Sequence, residues 1–270
     1  MIRVELVKLL RSRRTWVTVA VIDALPTLVA VLLSATDLGP RPGTGPAFLS
    51  AVLTDGSLYP LAAIAMVLPL FLPASIAITA GDAVAGEAQQ GTLRYVLIRP
   101  VGRTRLLVAK LISVMAFALL ALLVVAATAY VLGNLLLGHG AGATTTTFSG
   151  TSLSGQQLAG RTVLALLYAL LSMLGVAAVA LFLSTIVRSP LAATMGTLAL
   201  LIGSSLLLTL DAAHVLRPYL VTRYWLSFVD LFRDPILWHD VVLGVLQQFG
   251  YVVVFLLAAW ANFVTKDVTD

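Results

Sequence analysis

Residues 106–137 read LLVAKLISVMAFALLALLVVAATAYVLGNLLL, an apolar run interrupted by one charge, Lys110. A helix needs about 20 apolar residues to cross a ~30 Å hydrocarbon core. This run is longer than that, so it is predicted to tilt or to project past the membrane as a helical stalk. It lacks the ten-residue alternation of a barrel strand. The rest of the chain has the same character: 60% of its 270 residues are hydrophobic, 11% are charged, and the mean hydropathy is +1.01. A water-facing globule cannot hide that much apolar surface, so the fold class is all-α integral membrane. There is no cysteine, hence neither a disulfide framework nor a thiolate metal site. The net charge of +5 does not imply nucleic acid as a partner, because in a membrane chain the distribution of Lys and Arg sets orientation.

Immediately upstream, residues 81–105 read GDAVAGEAQQGTLRYVLIRPVGRTR. This is the longest polar interval between two apolar segments that is also dense in Arg, and it carries Asp82, Glu87, Arg94, Arg99, Arg103 and Arg105. Gly91 and Thr92 break and then recap a helix, and Pro100 stops it. The result is a two-turn helix over residues 93–98. Its apolar side chains have no membrane to enter, so a groove on another protein is their natural destination. The alternative is a solvated basic loop against anionic lipid, but the LRYVLI run argues against it.

Further upstream, residues 59–80 form a second span in which Pro69 and Pro73, four apart, each remove a backbone donor and bend it at mid-membrane. Residues 36–58 are a Gly/Pro-rich outer loop with room for a short helix near residues 47–53. The first span covers 16–35, with Trp16 at aromatic-belt depth, Asp23 inside it and a kink expected at Pro26. Residues 1–15 place Ile2, Leu6, Leu9 and Leu10 on one side of a helix and Lys8 and Arg11 largely opposite, which predicts an amphipathic helix lying in the interface. No small-residue cleavage site follows, so a removed signal peptide is not expected.

Downstream, residues 138–157 form a Gly/Thr/Ser loop without basic residues. Spans at 158–187 and 191–210 are joined by a tight turn containing Arg188 and Pro190. Residues 211–240 are too polar to span, and their Tyr219, Tyr224, Trp225, Phe228, Phe232 and Trp238 suit an interface, so interfacial or re-entrant outer helices are expected there. The sixth span covers 241–263, and the tail is too short for a domain. The 270 residues thus form a single transmembrane domain. Of the 17 Lys and Arg residues, all but Arg41, Arg161, Arg217, Arg223 and Arg233 fall on one side. The positive-inside rule places that side, with both termini and residues 81–105, in the cytoplasm, giving a multi-pass protein of the cytoplasmic membrane.

Taken in order, Glu87, Gly91-Thr92-Leu93, Leu97, Arg99-Pro100-Val101, Arg103, Leu106-Leu107 and Lys110 resemble the loop after the second span in type-2 ABC exporter permeases. The amphipathic start, the six spans, the polar segment before the last span and the ending FVTKDV at 263–268 also resemble that family, so the similarity covers most of the chain. The resemblance implies that the short helix is a coupling helix seated on a separate ABC ATPase subunit. It also implies that the N-terminal helix is an elbow and that a second permease copy or paralogue pairs around a central pathway. Under it, Glu87 and Arg94 are polar anchors of the coupling loop, Val96 and Leu97 are packing anchors, and Gly91, Thr92, Leu93, Arg99 and Pro100 shape the element. Candidate pathway residues are Asp23, Pro69 and Pro73.

No G-x-x-x-x-G-K-[ST] loop occurs in the chain, so ATP and Mg are expected on the partner subunit and no cofactor on this chain. Residues 153–157, LSGQQ, resemble a nucleotide-contacting motif of ABC ATPases. They lie on the outer side, away from cytoplasmic ATP, and read better as a polar start to the fourth span. Asp23 is the only carboxylate deep in a span, and such an acid is either functional or paired across a helix interface. Arg161 is expected to snorkel. His139, His214 and His239 lack zinc-site spacing. No membrane-protease arrangement is present.

The reading is therefore the transmembrane subunit of an ATP-driven exporter for a hydrophobic or amphiphilic substrate such as a drug, antibiotic or lipid. The alternatives are an ion-coupled secondary carrier using Asp23, or a non-transporting membrane anchor for a cytoplasmic regulator.

Overall fold

The computed structural model describes residues 2–35, 56–90, 102–137, 144–146 and 152–265. The described residues form eight α-helices: α1 (Ile2–Arg11), α2 (Arg13–Ala35), α3 (Tyr59–Val67), α4 (Phe71–Gln89), α5 (Arg103–Leu136), α6 (Gly155–Ile186), α7 (Pro190–Thr209) and α8 (Trp238–Thr265). Of these, α2, α5, α6, α7 and α8 are each long and apolar enough to cross a membrane, and α3 with α4 makes a sixth span if the bent pair is counted as one. The all-α membrane class is thus the observed one. The Gly/Thr/Ser loop also contains a small antiparallel ribbon, β1 (Thr144–Thr146) with β2 (Ser152–Ser154), which leads directly into α6.

The bend expected from Pro69 and Pro73 is a true break of 53° between α3 and α4. Pro69 lies exposed in the intervening turn, where a missing donor and a ring clash end the first helix. Pro73 is buried in the first turn of α4, where the backbone donors have no intrahelical partner in any case. One proline stops a helix, and the other is tolerated in the next. By contrast, α2 stays continuous through Pro26, whose carbonyl accepts a hydrogen bond from the buried Tyr59 hydroxyl.

At the core is α6, which packs against α4, α5, α7 and α8. Its residues 175–181 are all buried and small or aliphatic, which lets neighbouring backbones approach closely. Its start is fixed by Ser154, which accepts from the Gln157 backbone N–H while the Gln157 side chain accepts from Ser154 N–H. The LSGQQ sequence is therefore a helix-capping box. Similarly, α7 begins with Ser189 as cap and Pro190 at its first position.

In residues 211–237 the expected short helices are of the 3-10 type. They lie at Asp211–Ala213, Arg217–Tyr219 and Ser227–Phe232, and the last of these packs on α6 and α8. Tyr219 and Trp238 are exposed, as interface residues would be, but Tyr224, Trp225, Phe228 and Phe232 are buried inside the protein. The aromatic content reflects core packing as much as lipid contact. Composition cannot distinguish the two, because both environments select the same side chains.

Candidate functional site

The site builds from the junction of α1 and α2. Leu9 of α1 is buried, while Val4, Val7 and Leu10 are exposed. The helix thus lays one side on the bundle, against α5, and leaves apolar side chains outward. The Trp16 indole N–H donates to the Leu10 carbonyl at 2.8 Å. That bond satisfies one of the carbonyls orphaned at the end of α1 and fixes the turn between α1 and α2.

Glu87 lies in the last turn of α4, which runs as helix well past residue 80 into the stretch expected to be loop. Its carboxylate meets the Lys110 ammonium of α5, and Lys110 Nζ also donates to Glu5 Oε1 of α1 at 3.2 Å. The Lys110 side chain is only 6% exposed. One cation thus joins three helices, and its burial is tolerable because two carboxylates surround it. A second pair, Arg14 to Asp82 at 3.1 Å, ties α2 to α4 nearer the surface. A third tie comes from Ser184 of α6. Its hydroxyl donates to the Gly81 carbonyl at 2.7 Å and accepts from the Val84 and Ala85 N–H groups at 3.1 and 2.9 Å.

The start of α5 is held just as firmly. Arg103 donates to the Phe263 and Val264 carbonyls at 3.2 and 2.7 Å, and the Trp260 indole donates to Thr104 Oγ1 at 2.9 Å. Consequently both helices flanking residues 91–101 are pinned to the bundle. Gly91, Thr92, Leu93, Arg94, Val96, Leu97, Arg99 and Pro100 themselves lie outside the described residues. Between α1, α2, α4 and α5 is a cavity of about 350 Å³ lined in part by Glu5, Arg14, Asp82, Glu87 and Lys110.

Asp23 stands apart from this cluster. Its carboxylate accepts from Thr128 Oγ1 of α5 at 2.6 Å, so the intramembrane acid is partnered across the α2–α5 interface. Pro69 and Pro73 are placed by the helix break described above. Arg161 donates to the Arg233 carbonyl at 2.9 Å and so ties α6 to the segment before α8. Among the described residues no group of three or more His, Asp or Glu is placed to hold a metal ion.

At the opposite end, non-helical backbone is satisfied by side chains of the spans. Gln247 donates to the Pro218 and Leu220 carbonyls, Gln248 to Val221, Tyr251 to Tyr219 and Tyr168 to Tyr224, all at 2.6–3.0 Å. Gln248 sits ten residues into α8, roughly 15 Å along its axis. Buried irregular backbone needs such partners wherever water is excluded.

Sequence reasoning missed Glu5 and the buried role of Lys110. Two signals were present: Glu5 is the only acid in the N-terminal helix, and Lys110 is the only charge in the 106–137 run. The glutamine pair at 247–248 was likewise the polar mark inside the last span.

A family model described as "ABC-2 family transporter protein" matches residues 1–204. No curated protein matches the chain.

Proposed function

The chain belongs to the ABC-2 family of transporter proteins, and on that premise we propose that it is the transmembrane subunit of an exporter. In this reading it moves a hydrophobic or amphiphilic substrate outward across the cytoplasmic membrane. The family works with an ABC ATPase subunit, and the chain is multi-pass. ATP and Mg belong on that partner, and two permease chains, identical or paralogous, enclose the pathway.

The observation that carries the reading is the cluster of Glu5, Lys110 and Glu87, one helical turn before Gly91. A force applied to residues 93–98 enters α4 at a point locked to α1 and α5, with Ser184 adding α6. It therefore moves a group of helices together and does not fray one end. Closure of the ATPase pair would tilt the first, second and fifth spans and change which side of the pathway is open, a population shift driven by different contacts in the two states.

The test is co-purification of the chain with its ATPase, comparing wild type with Leu97→Asp. Loss of assembly and of stimulated ATP hydrolysis is expected. Normal assembly and stimulation in the variant would remove residues 93–98 as the contact.

A further inference from the structure

Helix α1 sorts its charges by direction. Its single acid, Glu5, points to the bundle, where it meets Lys110 of α5 at 3.2 Å, and Leu9, one turn on along the same side, is buried. Arg3, Val7 and Leu10, spaced by four and three residues, form one outward stripe, and Val4, Lys8 and Arg11 form another. All six are exposed, Val4 by 69%. Arg13, the first residue of α2, is exposed as well. Arg3, Lys8, Arg11 and Arg13 make no ion pair and no side-chain hydrogen bond among the described residues, whereas Arg14 is balanced by Asp82. Uncompensated cations and apolar side chains therefore alternate along one outward surface.

The place of this surface is the end of a span. Ser12 alone separates Arg11, the last residue of α1, from α2, which is long and apolar enough to cross a membrane. Arg13 and Arg14 thus stand at the level of lipid headgroups, and Trp16, half exposed in the first turn of α2, is of the residue type that anchors there. Val4, Val7 and Leu10 offer apolar contact to the acyl boundary, and the Arg and Lys stems can lie along it while their heads reach phosphate. An acidic protein surface would match the charge alone. An anionic bilayer surface matches the charge, the apolar side chains and the position at a span's end.

We infer that the outward side of α1, together with Arg13, docks on anionic phospholipid headgroups of the leaflet at that end of α2. Each Lys or Arg held at such a surface contributes roughly fivefold in affinity, and about four of them beside a span suffice to select anionic lipid. A zwitterionic headgroup competes poorly, because its phosphate is already balanced by its own ammonium. The inference names the surface that α1 rests on and is independent of transport direction and of contact through residues 93–98.

The chain has no cysteine, so Val4→Cys places one polarity-sensitive fluorophore on the outward side of α1 in the full chain. The labelled protein is held in nanodiscs of phosphatidylcholine with or without phosphatidylglycerol. Phosphatidylglycerol should shift the emission to the blue, and raised ionic strength should reverse the shift, because exposed charges are screened. Replacing Arg3, Lys8, Arg11 and Arg13 together by Gln should abolish the shift while the thermal unfolding transition persists, since none of the four holds a partner. If that variant fails to fold, the salt reversal in the native background still decides. In native mass spectrometry against equimolar phosphatidylglycerol and phosphatidylcholine with identical acyl chains, the native chain should prefer phosphatidylglycerol at least roughly fivefold more than the variant does. Equal emission in the two nanodiscs, a shift that salt leaves intact, or a shift that survives in the quadruple variant would overturn the assignment. So would emission that ignores phosphatidylglycerol and responds only to an added ATPase subunit, which would give these cations to a protein. The lipid readouts need neither ATPase nor ATP, so failure here leaves the coupling proposal standing, and failure of Leu97→Asp to disturb assembly leaves this one standing.

Discussion

Gln248 sets its side-chain carbonyl oxygen directly against Gly175, so that a Cβ on Gly175 would overlap it. The same glutamine donates to the Val221 carbonyl at 2.9 Å. A missing side chain on α6 thus makes room for a polar one on α8, and that polar one holds the segment before α8. The packing of α6 on α8 and the docking of residues 218–224 are one arrangement.

Gly175→Ala should therefore displace Gln248 and break its bond to Val221. Overpacking of this kind costs about 1–3 kcal/mol. A lowered thermal unfolding midpoint in detergent is the expected outcome. The double variant with Gln248→Ala should cost less than the sum of the two single changes, because the overlap is gone.

Gln248→Leu tests the other half of the arrangement. It keeps bulk but leaves the buried Val221 carbonyl without this donor, a loss of about 1–3 kcal/mol. Limited proteolysis should cleave residues 211–235 faster in the variant than in wild type, with the remainder of the chain little affected.

Lys110→Met removes the cation from between Glu5 and Glu87. Two largely buried carboxylates then face each other, and breaking a buried pair in this way costs about 3–5 kcal/mol. Poor yield and early thermal unfolding are expected. Replacing all three residues together, as Glu5→Gln, Glu87→Gln and Lys110→Met, should be milder than Lys110→Met alone, since the two carboxylates no longer repel each other.

Asp23→Asn separates a packing role from a transport role. The amide oxygen can still accept from Thr128, so stability should change by less than about 1 kcal/mol. Asp23→Leu discards the acceptor and should be the more destabilised of the two. If Asp23→Asn abolished ion-dependent transport that needs no ATP, the chain would work as a carrier and the exporter reading would fail.

How much of this was legible in the sequence depends on the range of the cause. The break at Pro69, the caps at Ser154 and Ser189, and the spans themselves rest on local chemistry: a missing N–H, a side-chain acceptor near a helix start, a run of apolar residues. The ion cluster rests on residues 105 and 23 positions apart, and nothing local distinguishes Lys110 from a basic flank. The burial of Trp225, Phe228 and Phe232 is equally non-local.

The amino-acid sequence alone determined that this chain lives in a membrane and roughly where it crosses, because hydrocarbon admits only helices or closed barrels with internally satisfied backbones and these apolar runs have the length of helices. Only the tertiary structure decided that Lys110 joins α1, α4 and α5 and that Gln248 occupies the space left by Gly175. Those outcomes depend on which helix faces which, and no short-range pattern encodes that.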